Sequence, residues 1–273
     1  MLFVCPLDRS PFDTTATGVR CGLGHTFDWA REGYLHLLPG GRKAGGVAGD
    51  SPEMLRARRD VFDRGHYSRV MTMVADHVAV ALTQGEGDVL DAGCGEGSYL
   101  HAIHDAVPLA GCWGVDVAKT AVRMAARRYR HEAGFAVASS YQLPVADHTV
   151  DAVVSVFAPR AFAEFGRVLK RDGTVVVASP GPDHLAGLKA LIYNDPRSHA
   201  ERPHATGDDA HAPPARRDRV RYELALRPPT IVALLQMTPY WWHARPDQQA
   251  ALAERDELST TVDVIVTSHR LGS

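Results

Sequence analysis

The sequence predicts a doubly wound α/β fold, a mostly parallel sheet with helices on both faces, preceded by a small module that carries cysteines and a histidine. Three observations carry this. From Asp88 onward, short apolar runs of strand length alternate with helical ones, the pattern of βαβ units. The first of those runs leads straight into the glycine-rich turn Gly93-Cys94-Gly95-Glu96-Gly97, as ligand-binding α/β sheets require at a strand end. Residues 1–38 hold too few apolar positions for a core of their own, so they need a metal or a docking surface.

Taken in order, the chain divides into a module at 1–38, a linker with basic helices at 39–84, and a main domain at 85–273. Pro39 to Asp50 is glycine-rich and reads as a mobile linker. Ser51-Pro52-Glu53 has the signature of a helix start, with a capping serine, proline in the first turn and an early acid. That helix is expected to reach Arg64 before Gly65, and a second to span Ser68 to Leu82. Strands follow at Asp88–Ala92, Gly111–Val115, Phe135–Ala138, Val150–Val156 and Thr174–Ser179, with helices at Gly97–Ala106, Lys119–Arg128 and Ala161–Leu169. Thr230–Gln236 reads as a helix. Val262, Val264 and Val266 share one face of a late strand, Thr260–Ser268, expected to be antiparallel. Asp195–Arg219 is rich in Pro, His, Asp and Arg and reads as a long loop, with His199, His204 and His211 as surface histidines.

The formal net charge is −2 over 273 residues, which argues against nonspecific coating of nucleic acid but leaves room for a local basic surface. The candidate surface is Arg42–Arg69, with Arg58 and Arg59 at its centre. It reads either as a solvated helix face or as a phosphate-facing wall of a cleft. No apolar run is long enough to span a membrane and the start lacks a signal-peptide pattern, so a cytoplasmic protein with no membrane partner is expected. Cys94 and Cys112 sit in apolar surroundings and read as core thiols.

The strongest motif is Asp91-Ala92-Gly93-Cys94-Gly95-Glu96-Gly97, followed by Asp116 at the next strand end. Asp116 is placed to accept both hydroxyls of a ribose. A dinucleotide site ordinarily spaces its glycines as G-x-G-x-x-G. Here the spacing is D-x-G-x-G-x-G, similar to motif I of class I S-adenosylmethionine (SAM) methyltransferases, where the leading acid, Asp91, suits the ammonium end of the ligand. The run Ser139 to Pro144 resembles the adenine-side segment of that superfamily, with Ser139 standing where many relatives carry Asp. The cofactor expected is therefore SAM.

A narrower resemblance rests on blocks spread over nearly the whole chain. Cys5-Pro6-Leu7, Cys21, Gly24-His25-Thr26-Phe27-Asp28, Gly33-Tyr34, Gly49-Asp50-Ser51, Gly65-His66-Tyr67, Phe157-Ala158-Pro159, Pro180-Gly181-Pro182 with His184, and Leu235 to Pro239 are similar to the 23S (large-subunit) ribosomal RNA (guanine-N1)-methyltransferases. That family includes housekeeping enzymes and macrolide-resistance enzymes of antibiotic producers. The resemblance implies ribosomal RNA as substrate and partner, SAM as cofactor, and a zinc finger in the N-terminal module. Homodimerisation is left open.

The finger would be held by Cys5, Asp8, Cys21 and His25, with Asp8 standing where the family has a cysteine. Two residues separate the first pair and three the second, suiting a tetrahedral site. The other reading is a decayed site whose module survives by packing Phe12, Phe27, Trp29 and Tyr34. The resemblance further implies that Tyr67 and His184 border the cofactor site beside Gly93, Gly95, Glu96, Asp116, Ser139 and Ser140. Core packing of Tyr67 and a helix-start role for His184 are the plain alternatives. Phe157, Pro159 and Arg160 follow a strand end and are expected to face the substrate, Phe157 by stacking on a base and Arg160 by meeting a phosphate; core packing is the alternative for Phe157. Trp241 and Trp242 would either cap the same site or pack. Two other functions fit the same residues: methylation of a small molecule, and a noncatalytic RNA-binding protein that keeps SAM as a structural ligand.

Overall fold

The computed structural model describes residues 1–39, 50–82, 84–193 and 214–271. Arg42, Lys43, Gly49, His199, His204 and His211 lie outside the described residues. Near the start, β1 (Phe12–Thr14), β2 (Gly18–Cys21) and β3 (Thr26–Asp28) form a three-stranded antiparallel sheet. The ring pair Phe12–Phe27, with centroids 5.5 Å apart, is its small apolar contact. β4 (Tyr34–His36) leaves that sheet and pairs in parallel with β7 (Ala133–Val137) at the edge of the main one. Phe3, packed edge-on against Trp113, ties the module to the main domain a second time.

α1 (Pro52–Asp63) begins as the sequence predicts, with the Ser51 hydroxyl accepting the Met54 N–H at 3.2 Å. Met54, Leu55, Val61 and Phe62 are buried along one stripe of it. α2 (Ser68–Ala81) follows and packs on the sheet and on α3 (Ser98–Ala106). The main sheet has the order β10-β11-β9-β8-β5-β6-β7-β4. Its parallel strands are β4, β7, β6 (Gly111–Asp116), β5 (Asp88–Ala92), β8 (Val150–Val156) and β9 (Leu169–Pro180). α4 (Lys119–Tyr129) and α5 (Phe162–Val168) cover its faces. Strand order reverses between β5 and β8, the point at which open α/β sheets leave a crevice at their carboxyl ends.

β11 (Leu258–Arg270) is the expected antiparallel strand, longer than its valine pattern, with Val262, Val264 and Val266 fully buried. β10 (Arg216–Leu226) corrects the loop expected up to Arg219. It pairs along its full length with β11 and closes the sheet. Its inner face needs only Val220, Leu224 and Leu226, while its outer face carries arginines, and an outward row of charge is how edge strands avoid further pairing. Between β9 and β10 lies α6 (Ala186–Ile192), and between β10 and β11 lie α7 (Thr230–Gln236), a 3₁₀ turn at Pro239–Trp242, and α8 (Pro246–Ala253). Cys94 and Cys112 are buried, as expected.

Candidate active site and metal centre

A cleft of about 920 Å³ opens at the carboxyl ends of β5, β6, β8 and β9. Gly93 and Gly95 of the turn after β5 line it. Gly93, Gly95 and Gly97 have φ of 111°, 55° and 93°, a region that side-chain-bearing residues rarely adopt. A Cβ on Gly93 would lie 2.6 Å from that of Ala158. The turn is tied to β6, with the N–H groups of Gly93 and Cys94 donating to Val115 O and that of Gly95 to Asp116 Oδ2 at 3.0 Å.

Asp91, Gly93, Gly95, Glu96, Asp116, Ser139, Ser140, Tyr67 and His184 all line this one cleft, although they come from five separate stretches of chain. Asp91 is 1% exposed and its Oδ1 has no partner among the described residues. Burial, and then the neighbouring Asp116 carboxylate, push its acid up to about 8. An orphaned, buried carboxylate oxygen facing a cleft is completed by a ligand ammonium, which fits the amino-acid end of SAM. Asp116 is also pushed up by burial, against the N–H groups of Ala118 and Gly95 that it accepts. Each of its oxygens keeps a lone pair for a ribose hydroxyl. The Ser139 hydroxyl accepts the Tyr141 N–H at 3.2 Å, so it shapes its own turn. Glu96 turns its carboxylate to Arg59 Nε (3.2 Å) and to the Ser98 N–H (3.3 Å).

Tyr67 and His184 form a pair with their ring atoms 3.4 Å apart at Oη and Nε2. His184 Nδ1 accepts the Asp263 N–H at 3.2 Å, so the neutral ring carries its proton on Nε2 and donates it to Tyr67 Oη. Both ring nitrogens are thus engaged, which makes His184 a fixed wall of the cleft and removes it as a general base. Burial holds the Tyr67 hydroxyl well above its ordinary value, so it stays protonated and can donate into the cleft.

Beside His184, Phe157 and Pro159 line the cleft while Arg160 is not among the lining residues. Phe157 has φ +52°, is 43% exposed, and stacks on His184 with centroids 5.7 Å apart. A bulky residue in the left-handed region stores strain that tends to mark a functional site. Met237, Thr238, Pro239 and Tyr240 close the cleft from above α7. Of these the family-like block Leu235–Pro239 was the available signal. Neither Trp241 nor Trp242 lines the cleft: Trp241 packs against the core and Trp242 is largely exposed.

Within the stretch Arg42–Arg69, the described arginines take several different partners. Arg58 lines the cleft and pairs with Asp50 at 2.6 Å. Arg59 spans Glu96 O, Met124 O and the Glu96 carboxylate. Arg56 and Arg64 pair with Glu53 and Asp60, and Arg69 lies over the Tyr222 ring. Arg59 braces α1 against the glycine turn, while Arg56 and Arg64 make exposed pairs along their own helix.

In the N-terminal module, two tight turns bring Cys5, Asp8, Cys21 and His25 together, their donor atoms all within 4.8 Å of one another. Individual approaches are 2.9 Å (His25 Nδ1 to Asp8 Oδ2), 3.1 Å (Cys21 Sγ to Asp8 Oδ2), 3.3 Å (Cys21 Sγ to His25 Nδ1) and 3.5 Å (Cys5 Sγ to His25 Nδ1). These are close to the edges, roughly 3.3–3.8 Å, of a tetrahedron with zinc–ligand bonds. The Ser10 hydroxyl and N–H both donate to Asp8 Oδ1, which holds that carboxyl ionised and leaves Oδ2 for a metal. Asp8 and then Cys21 raise the His25 imidazole. The four donors fit zinc, with a carboxylate in one thiolate position.

Comparison with known proteins finds a family match for each of the two regions. Residues 89–173 match the methyltransferase domain family, and residues 3–45 match the family described as RlmA, N-terminal, a zinc ribbon. A Streptomyces fradiae protein named 23S rRNA (guanine(748)-N(1))-methyltransferase is 35% identical, over 90% of this chain and 88% of its own. A Micromonospora griseorubida protein bearing the family name 23S rRNA (guanine-N(1)-)-methyltransferase is 38% identical, over 90% of this chain and 89% of its own. The chain belongs to the 23S rRNA (guanine-N1)-methyltransferase family. A Bacillus subtilis member is 33% identical over 96% of this chain and 95% of its own. Like the rest of this methyltransferase family, the chain is a SAM-dependent enzyme, and it joins a class I methyltransferase fold to an N-terminal zinc ribbon. Among the described residues no helix is long and apolar enough to cross a membrane.

Proposed function

We propose that this chain transfers the methyl group of SAM to N1 of a guanine in 23S ribosomal RNA. The observation that carries the reading is the full-length likeness to relatives of that name, ribbon included, combined with a cleft whose buried acid lacks only a cationic partner. SAM supplies the activated methyl group. Asp91 would take its ammonium, Asp116 its ribose hydroxyls, and the Ser139–Ser140 stretch would flank its adenine. The Tyr67–His184 pair walls the cleft and offers the tyrosine hydroxyl as a fixed donor.

The exposed ring of Phe157, held in place by His184 behind it, gives a splayed-out guanine a stacking surface. Base stacking on an aromatic contributes about 1–3 kcal/mol. Ala158 and Pro159 supply apolar walls and exclude water, and the rim residues 157–159 carry no side-chain base. Their work is therefore placement: in the in-line displacement N1 bonds to the methyl carbon as the carbon–sulfur bond breaks, releasing S-adenosylhomocysteine and the proton that N1 carried, and the rate depends chiefly on holding nitrogen, carbon and sulfur in line. A role in macrolide resistance belongs to the same proposal, through the resemblance to resistance enzymes.

Incubation of the purified chain with methyl-labelled SAM and 23S rRNA transcribed without modification tests the proposal. Label in the RNA, recovered after digestion as 1-methylguanosine, is expected. Label found only in a pool of small metabolites would favour the small-molecule reading, and SAM binding without transfer the noncatalytic one.

A further inference from the structure

We propose that the outward face of α4 is a track for the phosphate backbone of the RNA substrate, leading from the zinc ribbon to the cofactor cleft; this rests on the reading that RNA is the substrate. Lys119, Arg123, Arg127 and Arg130 recur at helical spacing and all are exposed, while Ala121, Val122, Ala125, Ala126 and Tyr129 of the same helix are buried. The four cations therefore share one face. From Val117 to His131 the sequence contains no acid, in a chain where acids outnumber Lys and Arg by 32 to 30.

Existing ion pairs do not explain the stripe. Lys119, Arg123 and Arg130 have no carboxylate partner among the described residues, and Arg127 reaches Glu32 only at 3.9 Å. The one close pair on this helix among the described residues, Arg128 with Asp63 at 2.7 Å, is made by a residue off the stripe. Helix stability explains only part of it. Cations near the carboxyl end are favoured by the helix dipole, but Lys119 stands in the first turn, where the dipole opposes it, and Arg123 stands mid-helix.

The ends of the stripe are placed where a substrate strand would need them. Val117, which lines the cleft, lies two residues before Lys119. At the other end, Arg130 lies against the turn before β4: a Cβ on Gly33 would sit 3.7 Å from its Cβ and Cδ. The stripe is roughly 16 Å long, with about 6 Å between charges four residues apart, a step comparable with that between phosphates of an extended strand. An RNA strand held along it would have one end at the ribbon and the other at the cleft.

The test uses the full chain, an unmodified 23S rRNA transcript, and the double variant K119Q/R123Q, which touches neither cleft nor ribbon donors. The SAM dissociation constant and melting temperature should match wild type. RNA affinity should fall by about tenfold or more at low salt, and the slope of log affinity against log salt should flatten by about 1.4–1.8, two phosphate contacts' worth. The charge-preserving variant K119R/R123K should keep the wild-type slope; if it loses affinity as the glutamines do, the track is overturned, because charge is then not what is read. A folded K119Q/R123Q that binds the transcript with wild-type affinity and slope overturns it as well, and the stripe then belongs to an acidic protein surface. If wild type itself places no methyl on the transcript, the proposed function fails and the track falls with it; methylation by wild type with an unaffected double variant removes the track alone.

Discussion

Asp91 sits near the end of β5 with a carboxylate oxygen that nothing among the described residues completes. Its acid is raised to about 8 from an ordinary value of about 3.9. Between those two values the folded, ligand-free protein binds a proton that the unfolded chain does not, so stability falls as pH rises through that window. A ligand ammonium reverses this by favouring the ionised form. Calorimetry at pH 6.5 in buffers of different ionisation heat should therefore show about one proton released on SAM binding. Asp91→Asn should abolish that release and weaken SAM by about 2–3 kcal/mol, the scale for hydrogen bonds to a charged group; an unchanged proton count would remove Asp91 from the ammonium site. Phe157 makes the complementary case on the substrate side. Glycine relieves its left-handed backbone, worth about 1–2 kcal/mol, so Phe157→Gly should melt no lower than wild type and bind SAM equally well. Its methylation of RNA should nevertheless drop at least tenfold. A variant with full activity would mean that the ring is not a stacking platform. Asp91 and the glycines were legible in the sequence because backbone chemistry dictates them. The Phe157 strain was not, since no residue pattern announces a positive φ at a phenylalanine.

At the scale of elements, α1 lines the cleft, while the zinc ribbon joins the edge of the sheet through β4. α1 was visible from its capping serine and its stripe, but the direction of its arginines was not, because exposed and inward arginines look alike in one dimension. Arg59 joins α1 to the glycine turn through a carboxylate that is 2% exposed. Arg59→Gln leaves that charge without its partner and should cost about 3 kcal/mol of stability together with a measurable loss of SAM affinity. A melting temperature equal to wild type would show that the bridge carries no weight. The ribbon should contain about one equivalent of zinc by elemental analysis. Cys21→Ser should release it and sharply reduce RNA methylation while SAM binding in the main domain persists. SAM binding lost in parallel would mean that the ribbon, through β4, is needed for the fold of the sheet itself. β10 was missed for a composition reason: four arginines in its first six residues read as loop. The alternation of Val220, Tyr222, Leu224 and Leu226 was the strand signal that remained.

For the molecule as a whole, the parallel strands, their order of appearance and the late antiparallel strand all follow from apolar runs separated by helices. The joining of the ribbon to the sheet edge through Tyr34–His36 does not, because three residues are too few to carry a periodic signal. That join brings ribbon, basic helix and cleft into one body, and in the proposed function it lets a protein of near-neutral charge present an RNA strand to the methyl donor. The central claim is that this body directs the methyl group to the Watson–Crick edge of one guanine. Reverse transcription across 23S rRNA treated with the protein and SAM measures this directly, since a methyl on N1 blocks base pairing. The account predicts one strong new stop, immediately 3′ of a single guanine. The stop should be absent without SAM and strongly reduced with Asp91→Asn. Methyl incorporation with no stop, or stops scattered over many nucleotides, would contradict it.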